Sequence, residues 1–144
     1  MYRIYMNIRV VLLSLSLMLL MPSFSYAGQL YVVVSNNLRG ESFSQADIKR
    51  IFLGEISMVK NARITLIYPS YTSKEIEALS KFVGKGGSVR NLKAYWSKII
   101  FTGKGTPPVT ANSEEELKQL INKENAIGVS TVSTGLNVVY TITE

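Results

Sequence analysis

The sequence predicts an α/β domain in which a mixed, mostly parallel sheet is flanked by helices. Three observations carry that prediction. Leu30–Val34 (LYVVV) is a continuous apolar, β-branched run, the pattern of a strand covered on both faces by helices, typical of the parallel part of a sheet. Strand-like and helix-like segments then alternate, in the order strand, helix, strand, three helices, two strands. Each helix-like segment keeps one apolar stripe at three- and four-residue spacing, which must be covered by a sheet or another helix.

Met1–Ala27 precedes these elements and has the pattern of a secretory leader. Arg3 and Arg9 make its front positive, Val10–Met21 is apolar, Pro22 breaks the run, and Ser25-Tyr26-Ala27 is a small-x-small cleavage site. The apolar run falls well short of the ~20 residues a spanning helix needs. We therefore expect export, with residues 28–144 forming one domain and no membrane span after cleavage.

Leu30–Val34 ends in the turn residues Ser35-Asn36-Asn37, and strand-end loops of α/β sheets are where ligands bind. Ser35 and Asn36 are candidate ligand contacts on that ground. Ser44–Gly54 is a short helix with Ile48, Ile51 and Phe52 inward, Ser44 and Asp47 at capping-box spacing, and Gly54 as its stop. Arg63–Tyr68 is the second strand, ended by Pro69. Thr72 and Glu75 have capping-box spacing before a helix whose stripe is Ile76, Leu79, Phe82 and Val83. Gly84-Lys85-Gly86-Gly87 follows a helix and lacks the earlier glycine of a phosphate-cradling loop, so it reads as a linker.

Ser88 caps the next helix, on which Val89, Leu92, Trp96, Ile99 and Ile100 share a face. Its single Trp is the expected centre of the core. Gly103, Gly105 and Pro107-Pro108 end it. Ser113 and Glu116 set a capping box for the last helix, and Glu114, Glu115 and Glu116 in its first turn suit the helix dipole. Ala126–Val132 and Leu136–Ile142 are the closing strands.

Composition excludes several function classes. The chain has no His and no Cys, which removes zinc and redox-metal sites, disulfides, a lipidated Cys and any His-based catalytic triad. No nucleophile–base pair is readable, so we expect no enzyme and no cofactor. Lys and Arg number 16 against 10 Asp and Glu, with two of the cations in the leader. That mild excess, without a basic run interleaved with aromatics, does not point to nucleic acid.

Three segments, in order, resemble the periplasmic phosphate-binding proteins of ABC importers. Phe43–Ile56 (FSQADIKRIFLGEI) is similar to their Leu-x-x-x-Gln-Leu-x-x-Ile-Phe-Leu-Gly-Lys-Ile stretch. Leu92–Pro108 (LKAYWSKIIFTGKGTPP) is similar to a segment of their small relatives, and Ala126-Ile127-Gly128-Val129 to an Ala-Ile-Gly-Tyr strand. The resemblance implies a single lobe of a type II periplasmic binding-protein-like fold and a periplasmic, Sec-exported protein of a Gram-negative envelope. It also implies inorganic phosphate or another oxyanion as ligand, met in full members by an Arg and a Ser-Gly-Thr opening a helix. The corresponding stretch here adds Ser70, Tyr71, Thr72, Ser73 and Lys74 as candidate ligand contacts. It keeps the hydroxyls but lacks the Arg and the Gly, with bulky Tyr71 where the backbone would approach the anion and Lys74 as a point charge. Two functions stay open: weak oxyanion binding for transport, and a non-catalytic envelope accessory protein that has lost its ligand and contacts another protein.

Overall fold

In the computed structural model, which describes residues 28–123 and 125–143, Leu30–Val34 is strand β1 and alternates its side chains between two cores. Val32 and Val34 point into one, and Val33 into the other. That division explains the unbroken apolar run: a strand with helices on both sides has no face to leave polar. The expected leader, Met1–Ala27, lies outside the described residues. No helix among the described residues is long and apolar enough to cross a membrane.

After β1 come α1 (Gln45–Phe52), a hairpin of β2 (Met58–Val59) and β3 (Ala62–Arg63), and β4 (Thr65–Pro69). Then follow α2 (Lys74–Val83), α3 (Val89–Phe101), β5 (Val109–Ala111), α4 (Glu114–Ile121), β6 (Ala126–Ser130) and β7 (Asn137–Ile142). The main sheet has the order β5-β4-β6-β1-β7. β4 pairs in parallel with β5 and β6, whereas β1 pairs antiparallel with both β6 and β7. Four strands thus point one way, and β1 runs against them. A mixed, mostly parallel sheet is borne out; the assignment of β1 to its parallel part is corrected. Burial on both faces requires covering layers, and those layers are indifferent to strand direction.

α1, α2 and α3 cover one face, where Phe52, Ile76, Leu79, Leu92 and Trp96 meet Leu66, Tyr68, Ile127 and Val129. α4 covers the other through Leu117 and Ile121 against Val33 and Ile67. Gly128 of β6 permits that approach, since a Cβ there would lie 2.9 Å from Leu117 Cδ1 and 3.2 Å from Ile67 Cβ.

The helix starts follow side-chain chemistry, with two changes from expectation. Ser44 and Asp47 form a full capping box. Ser88 accepts from Asn91 N–H as expected. For α2 the cap is Ser73, accepting from Ile76 N–H, and not Thr72. For α4, Ser113 accepts from Glu116 N–H, but the Glu116 carboxylate reaches back to Asn112 N–H, one residue earlier than a capping box would. The face assigned to α3 also changes at its end, where Ile100 is half exposed while Leu92 and Trp96 are buried.

Candidate functional site

The parallel strands β4, β5 and β6 end at one edge of the sheet, and α2 and α4 start there. Their convergence leaves a cleft of 130 Å³ lined by Ser70, Ser73, Glu75, Asn112, Ser113, Glu114 and Thr131 among others. It has the placement expected of a ligand site in an α/β sheet, at strand C-termini and facing helix N-termini. Its contents are another matter. Ser73 and Ser113 already accept hydrogen bonds from their own helices. Ser70 Oγ and Thr72 Oγ1 bond each other at 3.0 Å.

Donors at and just after the end of β6, beside the cleft, are engaged by the protein itself. Glu114 Oε1 accepts from Thr131 N–H at 3.0 Å and from Thr131 Oγ1 at 3.1 Å. Its Oε2 accepts from Ser130 Oγ at 2.7 Å. A carboxylate with three donors, at the positive end of α4, occupies the electrostatic role that a bound oxyanion would have. Glu75 adds a second carboxylate to the lining, and among the described residues no cation lines the cleft. Replacing Glu114 by Ala is expected to lower stability by about 1–2 kcal/mol, because it removes the tie from α4 to the end of β6 and the charge in the first turn. A urea titration followed by tryptophan fluorescence measures it.

The seven predicted contacts divide between two ends of the sheet. Ser70 and Ser73 line the cleft. Tyr71 instead packs beside Tyr68, with ring centroids 6.3 Å apart, and carries the Lys93 ammonium over its ring at 5.0 Å. Burial pushes its phenol pKa up. Thr72 and Lys74 are exposed at the start of α2. Ser35 and Asn36 are not brought to this group. Because β1 runs against β4, its C-terminal end reaches the opposite edge, about 16 Å away at ~3.3 Å per residue along the strands. There Ser35 is buried and tied to the start of β6: its N–H donates to the Ala126 carbonyl, and its Oγ accepts from Ala126 N–H. Asn36 Oδ1 accepts from Asn137 Nδ2 at 2.9 Å. These two residues close the sheet.

The sequence reading missed Asn112, Ser113 and Thr131 as neighbours of Ser70, and assigned Glu114 to the helix dipole alone. The signal was the strand β5, whose three residues end at Ala111 and place Asn112 at the same edge as Ser70.

No family model matches the chain. No curated protein matches it. Among solved structures, the chain is similar to an ABC-type phosphate transport receptor from Vibrio cholerae, with a TM-score of 0.46 and 15% identity. That match covers 83% of this chain and 52% of the receptor, so the chain spans about half the receptor's length.

Proposed function

We propose that this chain is a non-catalytic interaction module of the cell envelope that no longer captures phosphate. The observation that supports this reading is the Glu114 carboxylate, which takes the Thr131 and Ser130 donors at the strand-end cleft. A phosphate entering there would meet two carboxylates and, among the described residues, no lining cation, and like charges at close range repel. Envelope location rests on the leader pattern of Met1–Ala27.

Isothermal titration with inorganic phosphate, and separately with sulfate, tests the reading. The expected result is no saturable heat at millimolar ligand and no shift of the melting temperature. A saturable one-to-one heat from the unaltered protein would overturn it in favour of oxyanion transport.

A further inference from the structure

A second depression, larger than the strand-end cleft, lies away from it. It is a groove of 520 Å³ between the start of β4 and the loop that follows α3, with Arg63, Leu66, Lys104, Thr106 and Val109 among its walls. We propose that this groove is the docking site of the module, and that its occupant is an extended, acidic segment of a partner protein. The proposal rests on the interaction-module reading and names the surface and partner chemistry that the reading leaves open.

Shape is the first argument. β4 starts at Thr65, but its ladder with β5 begins only at Ile67, opposite Val109. Pro107-Pro108 carry the chain away before that point, so a trough runs beside the first residues of β4. A trough along a strand accepts an extended chain, whose alternate side chains point into it.

The second argument is that the wall is already built. Gly103 adopts φ 66, its N–H donates to the Ile100 carbonyl, and Lys104 N–H donates to the Ile99 carbonyl. This is a Schellman closure of α3. Gly105 then packs against Ile99, where a Cβ would sit 2.7 Å from Cγ2. Arg63 Nη1 donates to Thr106 Oγ1 at 3.4 Å and links the hairpin to the loop. A wall already held in place loses little entropy on binding.

Charge identifies the partner. Among the described residues, the ionisable groups that line the groove, Arg63 and Lys104, are both cations. From Ala78 to Ser113 the chain carries Lys81, Lys85, Arg90, Lys93, Lys98 and Lys104 and not one Asp or Glu, so the basic excess of the protein is concentrated in α3 and its flanks. Two residues before Gly103, Phe101 is 92% exposed, next to the half-exposed Ile100. Aromatic and apolar groups beside cations suit a segment in which acidic and apolar residues alternate. The concave trough favours such a segment over a flat anionic lipid surface.

Fluorescence anisotropy of a fluorescein-labelled peptide of alternating Glu and Val tests the proposal on the protein without its leader. Three proteins are compared: the unaltered chain, the Arg63→Glu/Lys104→Glu double variant, and a Lys118→Glu/Lys123→Glu variant that reverses equal charge on and after α4. The expected result is binding that weakens about tenfold or more in the first variant and stays within about twofold in the second. Equal loss in both variants, or no binding to the unaltered chain, overturns the proposal. So does preferential sedimentation of the unaltered chain with vesicles of phosphatidylcholine and phosphatidylglycerol. Phosphate titration separates the two levels of the argument. Phosphate heat that persists in Arg63→Glu/Lys104→Glu sinks the module reading itself. Silence towards phosphate together with failure of the peptide sinks the groove alone.

Discussion

Truncating Trp96 to Ala is expected to destabilise the domain by about 3–5 kcal/mol, the range for emptying an aromatic site in a packed core. Trp96 is buried on α3 between the rings of Tyr68 and Tyr95, both edge-on, with centroids at 6.1 and 5.8 Å. The third side of its slot is backbone: a Cβ on Gly54 would lie 2.7 Å from Trp96 Cη2, and Gly54 holds φ 70. Backbone pinned at the end of α1 cannot collapse into the vacated space, which places the loss at the upper end of the range. Single domains are stable by only about 5–15 kcal/mol, so the variant should unfold at far lower urea and bind a hydrophobic dye near ambient temperature. A urea midpoint within error of the unaltered protein would refute the central place given to Trp96.

Replacing Tyr68 by Phe removes a single oxygen yet is expected to lower stability by about 2–4 kcal/mol, because two buried groups lose their partner at once. The Tyr68 hydroxyl accepts from Trp96 Nε1–H at 3.0 Å and donates to the Phe52 carbonyl. All three residues are buried, so no water replaces the missing oxygen. Burial also raises the phenol well above its ordinary pKa, and it stays a neutral donor throughout the range in which the protein is handled. A double-mutant cycle with Trp96→Phe isolates the coupling: the combined loss should be smaller than the sum of the two single losses, since the second substitution removes one of the orphaned groups. Strict additivity would show that the triad from α1 through β4 to α3 contributes nothing beyond packing.

The helices were legible because periodicity and caps are local properties. Ser44, Ser88 and Ser113 begin their helices as their spacing predicts, and the stripes of α1, α2 and α4 face inward. What remained hidden was non-local or short. β5 is three residues after two prolines, too brief to show alternation. The hairpin turn at Lys60-Asn61 places two non-glycine residues at φ 53 and 63, with Asn as the single compositional hint. The direction of β1 is set by which neighbours it pairs with, and its own residues do not encode that. The grouping of the candidate contacts was hidden for the same reason: with β1 reversed, Ser35 and Asn36 lie at the opposite end of the sheet from Ser70–Lys74. The fold class survived this because covering layers decide it. Which candidate contacts share an end of the sheet was not legible, because that depends on which strand ends coincide.

The position of β1 has a consequence for when the molecule can form. Its neighbours on both sides, β6 and β7, are the last two strands among the described residues, and the bond from Ala126 to Ser35 spans 91 positions of the chain. Until those final segments have emerged, Val32, Val33 and Val34 have no ladder to join. A chain still being synthesised is therefore held open by its own topology until β6 and β7 have been made.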